Sequence, residues 1–371
     1  MLTDCVAGRA PAELPRALVE EPCARALFGI LAEGLGDRFE PALCDAYARL
    51  FAQAIPGADA ARYARVRRPR PVAVEPRRVF VLSRITLGAD IAVTSVLMNA
   101  AKQRFPKAEI VFVGPRKNFE LFAADPGLSH APLDYRRDAI AGVWRQLKSI
   151  VDDLVIDPDS RLTQLGLLPV GDENRYHLFE SRGYGGNSTL SLSELAVAWS
   201  AETFGVSVAR ALLPAASALL PTRSLQSRRA TISLGVGENP AKRIPDPFEE
   251  QLLALLVSRG FTLIVDRGAG GEEAARVERA VAHSGADVTY WDGSFAGFAA
   301  QIAASDLYVG YDSAGQHAAA ALGVPLICIF AGFPVPRMFD RWRPTAPNAT
   351  VIRVDNPEPA AVLERVGRTL G

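Results

Sequence analysis

Asp312-Ser313-Ala314-Gly315-Gln316-His317 joins an apolar, β-rich run, Leu307 to Tyr311, to an Ala-rich helical run that stops at Gly323-Val324-Pro325. Leu326 to Phe330 then reads as a second apolar strand. A polar turn at the carboxyl end of a strand and the amino end of a helix collects free backbone N–H groups and the positive pole of the helix dipole. It therefore suits a phosphate or an anionic ligand oxygen. Asp312 or Ser313 would equally serve as a plain helix N-cap, so the turn alone leaves both readings open.

The elements that must hold such a turn are repeated along the chain. Its 371 residues exceed one ordinary domain and suggest two, with an appendage. With 49% hydrophobic and 22% charged residues the composition is that of a globular protein able to bury sizeable cores. The formal net charge is zero, which gives no global field toward nucleic acid or an anionic membrane. Arg far outnumbers Lys, found only at 102, 107, 117, 148 and 242, and Ala is abundant, as in the product of a GC-rich bacterial genome. Cys5, Cys23, Cys44 and Cys328 form no CxxC pair and have no His at zinc spacing, so neither a disulfide framework nor a metal site is expected. The amino terminus has an early Asp and no apolar core, unlike a secretory signal. The long uncharged run Ala318 to Pro336 is broken by Gly323, Pro325, Gly332, Pro334 and Pro336, so it belongs in a protein core rather than a membrane. A cytoplasmic location with at most peripheral membrane contact is expected.

Residues 1 to about 64 read as helices, with Ala24 to Leu35 and Pro41 to Ile55 carrying apolar residues at three and four spacing. Arg65 to Arg78 is rich in Arg and Pro and reads as a solvated linker, with a lipid or phosphate patch as the alternative. Val79 to Leu82 is an apolar strand of the kind buried in parallel sheets; a loop through Thr86, Gly88 and Asp90 and a helix from about Ile91 to Phe105 follow, then a strand at Glu109 to Val113. This βαβ unit lacks the GxGxxG pattern of a nicotinamide dinucleotide site. Leu154 to Asp157 is another strand, entering a polar loop through Asp159 and Arg161. The Gly-rich polar stretch 171–191 is of a length that usually marks a functional or mobile loop, and Ser193 to Phe204 reads as a helix.

Pro214 to Arg229 reads as an interdomain linker. Beyond it come strands at Thr231 to Val236, Thr262 to Asp266 and Val288 to Trp291, a loop at Gly237 to Pro247, and helices at Phe248 to Arg259 and Phe295 to Ala304. The expected organisation is a helical extension and linker (1–75), an N-terminal Rossmann-like domain (76–215) and a C-terminal one (226–371).

Asp-Ser-x-x-x-His followed by Ala-Ala-x-Leu-Gly-x-Pro resembles the C-terminal motif of glycosyltransferase family 9, the ADP-heptose heptosyltransferases. Ala241-Lys242-Arg243-Ile244-Pro245 is similar to that family's Lys-Arg-Trp-Pro, with Ile244 in place of Trp. The resemblance covers about residues 78–356 and implies an α/β, GT-B architecture, two Rossmann-like domains facing a cleft. The helical N-terminal region is an addition to it, suited to covering the acceptor side, to dimerisation through its helices, or to capping the domain. The implied reaction is inverting, metal-independent transfer of a heptose or related sugar from an ADP-sugar to an acceptor hydroxyl on lipopolysaccharide core, protein or a small natural product. No cofactor is implied beyond that nucleotide-sugar donor, and the triplet Asp157-Pro158-Asp159 is not expected to hold a metal.

Carried onto this chain, the resemblance makes Asp90 the catalytic base, with Ala89 standing between Gly88 and Asp90; a helix N-cap is its alternative role. Lys242 would neutralise the departing diphosphate, Glu272 would hold the ribose, with Glu273 adjacent, and Asp312 would bind sugar hydroxyls. The amides of Ser313, Ala314 and Gly315 would face the diphosphate, with His317 behind them, and Gly237, Thr86 and Gly88 would complete the donor loops. Arg161, His177, Glu180, Arg182, Tyr184 and Asn187 are expected to face the acceptor. A catalytically silent scaffold that keeps the fold, and a nucleotide-sugar epimerase, are the competing readings.

Overall fold

The computed structural model describes residues 1–14, 26–136, 139–207, 210–221, 228–237, 239–268 and 270–371. Cys23, Ala269 and part of the expected linker lie outside them. The chain divides into two compact units, the first formed by Met1–Phe119, Pro126–Ala211 and Pro334–Arg341, the second by Glu120–Asp125, Leu212–Phe333 and Trp342–Gly371.

The first unit holds β1 (Arg78–Leu82), β2 (Glu109–Gly114), β3 (Leu128–Pro132), β4 (Leu154–Asp157) and β5 (Tyr176–Leu178), ordered β3-β2-β1-β4-β5. All pairings are parallel, which is why β1 and β4 read as unbroken apolar runs: both faces are covered. β5 falls inside the polar stretch that the sequence presents as a loop, because three residues carry too short a pattern to register as a strand.

The N-terminal helices are a layer of this unit. Pro41–Ala54 begins with Pro in its first turn and buries Leu43, Tyr47, Leu50 and Phe51, positions i, i+4, i+7 and i+8, on one face. Together with Tyr63 of helix Ala60–Val66 they share one core with Phe80, Leu82 and Leu178 of the sheet. The expected solvated linker is corrected too. Arg70 donates to the carbonyls of Glu173 and Tyr176, Val72 is buried with its N–H on Thr203 O at 3.0 Å, and the N–H groups of Arg77 and Arg78 both reach Asp153 Oδ2. Backbone hydrogen bonds and buried side chains strap this Pro-rich stretch to the domain.

The second unit holds β6 (Arg228–Ser233), β7 (Phe261–Asp266), β8 (Val288–Trp291), β9 (Leu307–Tyr311), β10 (Leu326–Phe330) and β11 (Ala349–Arg353). The order is β11-β10-β9-β6-β7-β8, again parallel throughout. The first strand of each sheet is flanked by its second strand on one side and its fourth on the other. The order therefore reverses at β1/β4 and at β6/β9, the two places where open α/β sheets bind ligands beyond the strand ends. Pro214–Ala218 is a short helix of the second unit rather than linker. Conversely, Pro334–Arg341 returns to the first unit, where buried Arg341 donates to the carbonyls of Gly186 and Leu190 and Arg337 donates to Phe39 O. Among the described residues no helix is long and apolar enough to cross a membrane.

Candidate functional site

The β6/β9 reversal brings together two loops seventy residues apart in sequence. Lys242 ends the single 3-10 turn Pro240–Lys242, and Asp312 follows β9 directly. Lys242 Nζ stands 2.7 Å from Asp312 Oδ2 and 3.1 Å from the Asp312 carbonyl oxygen. An ammonium has three protons, so this arrangement leaves one for a ligand, and the group keeps 19% of its side-chain exposure. Helix Ala314–Leu322 starts beside them with Ser313 as its N-cap, whose hydroxyl makes no capping bond, so the first-turn amides are left for an anion. Gly315 has a packing reason to be glycine: a Cβ there would meet the Tyr308 hydroxyl at 2.1 Å.

The Lys242 loop is set by a group the sequence reading did not single out. Buried Glu249 accepts from Arg243, Arg276 and the Tyr311 hydroxyl, and that hydroxyl in turn accepts the Ile244 N–H. An acidic residue in the first turn of a helix usually reads as a dipole partner, which hides it. His317 is buried, its imidazole pulled down to about 4 by loss of solvent, with Asp312 opposing and Lys242 reinforcing. It packs edge-on against Trp342 as a neutral wall. Gly237 takes a left-handed conformation in the loop after β6.

The two adjacent glutamates after β7 are placed differently. Glu272 is exposed, whereas Glu273 turns inward, accepts the Val236 N–H at 3.2 Å and lies against Gly235 and Gly268. A Cβ at Gly268 would meet the Glu273 carboxylate at 2.0 Å, and the residue has φ +76°. Because the helix starts at Gly271, position 273 is the one that faces the strand ends.

In the first unit Asp90 is fully buried at the β1 loop. Oδ2 accepts from Ser83 Oγ and Asn118 Nδ2, and Oδ1 from Arg84 N and Thr94 Oγ1, all at 2.6–2.7 Å. Burial raises its carboxyl above the ordinary range, against the pull of those donors. A general base must meet the acceptor hydroxyl, and here both carboxylate oxygens already accept two hydrogen bonds each from the protein. Through these bonds Asp90 ties down a strained loop. Ile85 is β-branched yet has φ +75°, and it is held through its N–H by Ser83 Oγ and through its carbonyl by Asn118. Thr86 is exposed and Gly88 half-buried at the start of the following helix, which opens into a wide π turn at Asp90–Thr94.

Three expected acceptor residues point inward instead. Arg182 makes a two-pronged bond to Asp159 at 3.0 and 3.1 Å, lies 3.7 Å from Glu180, and stacks over Tyr47 of the helical layer. Burial pushes the Glu180 carboxyl up to about 7 although Arg182 pulls it down. His177 lies in β5, buried and pulled down to about 4 by desolvation. A Gly-rich polar sequence cannot reveal that the helical layer covers it. Tyr184 donates to Glu202, Asn187 is exposed and receives Arg337, and Arg161 opens a 3-10 turn. Asp157 accepts from Tyr176, Thr163 and the Ser160 N–H, so it and Asp159 serve the interior.

No curated protein matches the chain in sequence. Residues 200–367 match the model of glycosyltransferase family 9 (heptosyltransferase). Among solved structures, E. coli heptosyltransferase WaaC with ADP is similar at TM-score 0.59 and 18% identity, over 79% of this chain and 99% of that one. E. coli ADP-heptose LPS heptosyltransferase II gives 0.54 and 18%, over 79% and 98%. A family 9 glycosyltransferase from Veillonella parvula gives 0.56 and 16%, over 79% and 89%. At these identities the likeness is one of fold, and it gives the chain the two parallel sheets of the GT-B architecture. Both Lys242 and the Asp312 turn lie within the segment that matches the family 9 model.

Proposed function

We propose that the protein transfers a heptose or related sugar from an ADP-sugar to an acceptor hydroxyl, with inversion at the anomeric carbon. The Lys242–Asp312 pair at the β6/β9 reversal carries this reading. As the glycosidic bond breaks, negative charge gathers on the departing diphosphate. A partly buried ammonium fixed at two points, next to uncapped helix amides, meets that charge without having to reorganise. Asp312 holds the ammonium, and the remaining lone pairs of its carboxylate suit sugar hydroxyls. Glu273 beneath the β6 and β7 loops suits the ribose. The adenine and heptose specificity rests on the family 9 resemblance and on similar structures named for ADP and ADP-heptose.

Calorimetric titration with ADP, UDP and GDP tests the reading. Selective ADP binding that weakens in Lys242→Ala is expected. Preference for UDP or GDP would replace the donor, and no nucleotide binding would overturn the transferase reading in favour of a silent scaffold.

A further inference from the structure

Gln316 is fully buried one helical turn after Asp312. Its Nε2 donates to Asp312 Oδ1, on the side of the carboxylate away from Lys242, and approaches the Trp342 carbonyl at 3.5 Å. Its Oε1 accepts the thiol of Cys328, which is buried on β10. The partners fix which end of the amide points where. A carboxylate and a carbonyl both require a donor, so the NH2 group must face them, and the oxygen must face the S–H.

We propose that Gln316 is a positioning residue of the donor pocket, holding Asp312 in the rotamer that presents one oxygen to Lys242, with Cys328 setting the amide's direction. The inference rests on the donor-site reading above for its consequence but not for its geometry. Asp312 has two rotatable side-chain bonds, and turning about either would move Oδ2 off Lys242. Lys242 alone, on a flexible four-carbon stem, does not fix those bonds. Gln316 is rigid because burial, the helix backbone and two further partners hold it. The order of control runs from Cys328 through Gln316 and Asp312 to the ammonium. The groups facing the amide are Asp312 and His317 from its own turn and helix, Cys328 from β10 and the Trp342 carbonyl.

The test uses the full chain with Gln316→Leu and Gln316→Glu, each first checked for a cooperative thermal transition. Crystal structures without ligand report the geometry. In Gln316→Leu the Asp312 carboxylate is expected to turn away and its contact with Lys242 to be lost. An unchanged Asp312–Lys242 contact would overturn the inference whether or not any nucleotide binds. ADP titration reports the consequence. Gln316→Leu should bind at least tenfold more weakly, a loss that a change of pH does not repair. Gln316→Glu puts two carboxylates together, which at low pH share a proton and so restore a donor to Asp312. Its affinity relative to wild type should therefore recover by tenfold or more between about pH 8 and pH 5.5. A ratio independent of pH would show that Gln316 only fills space. Should Asp312 turn away while wild type binds no nucleotide, the positioning role stands and the donor reading falls.

Discussion

Lys242 Nζ reaches both the side chain and the backbone carbonyl of Asp312, at 2.7 and 3.1 Å, so a single ammonium closes the β6 loop onto the end of β9. Removing it leaves a carboxylate without its cation and the proposed anion site without its charge. Lys242→Ala should weaken ADP binding by roughly 10- to 100-fold, the scale of a lost charge-assisted contact of about 1.5–3 kcal/mol. Lys242→Arg should restore it only partly, because a planar fork cannot occupy both positions of a point-like ammonium. Unaltered affinity in Lys242→Ala would remove the pair from the donor site.

The four hydrogen bonds to Asp90 tie its loss to stability. Asp90→Ala leaves Ser83, Thr94, Asn118 and the Arg84 N–H without their shared acceptor and releases the positive-φ Ile85. A loss of about 2–4 kcal/mol in urea unfolding is expected. Asp90→Asn should also be destabilising, since its NH2 would face donors. A thermally unchanged Asp90→Ala that loses only turnover would return the role of base to this carboxylate.

Three buried titratable groups give the pH profile two opposed slopes. His177 and His317 are pulled down to about 4 by burial, below the ordinary value near 6.5, so the native state takes up protons less readily than the unfolded chain. Their contribution is full above about pH 6.5 and is lost as pH falls toward 4. Glu180 is pushed up to about 7 by burial, from an ordinary 4.5, so the native state holds its proton more tightly. That contribution is present below about pH 4.5 and is lost as pH rises toward 7. Glu180→Gln leaves the two histidines unopposed, so the rise in urea midpoint from pH 5 to pH 8 should become steeper than in wild type, with a gain at pH 8 of up to about 3 kcal/mol over wild type. A variant less stable than wild type at pH 8 would mean that Glu180 is ionised and tightly paired with Arg182.

The helical layer is required by the first unit. A chain beginning at residue 76 lacks Tyr47, Phe51 and Tyr63, each buried against the sheet's core, at about 1.5–3 kcal/mol per side chain of this size. It also uncovers the Asp159–Arg182 ion pair. Such a chain should be insoluble or lack a cooperative transition. A soluble, ADP-binding fragment would show that the layer is dispensable.

Adjacent glutamates should differ in effect. Glu273→Ala removes the acceptor of the Val236 N–H and should weaken nucleotide binding several-fold. Glu272→Ala, on an exposed side chain, should leave it within twofold. The reverse result would return the ribose to Glu272.

The sequence by itself determined the two parallel sheets and the place of the Asp312 turn between strand and helix. Apolar runs such as Val79 to Leu82 and Leu326 to Phe330 can be stable only when covered on both faces, and Gly323-Val324-Pro325 ends a helix wherever it occurs. Lys242 and the Asp312 turn were legible as well, from residue type and motif. Their meeting was not, because it depends on β9 lying beside β6, a choice of sheet order that no local pattern encodes. The helix phase that turns Glu273 inward depends on a start at Gly271, within the range over which sequence leaves helix ends undecided. Burial was decided last of all. Asp90, Glu180 and Arg182 are polar residues in polar stretches, and only the packing of the β1 loop and of the N-terminal helices over the first sheet withdraws them from solvent. A charge pattern records what a side chain can do, and the tertiary structure records which partners leave it free to do so.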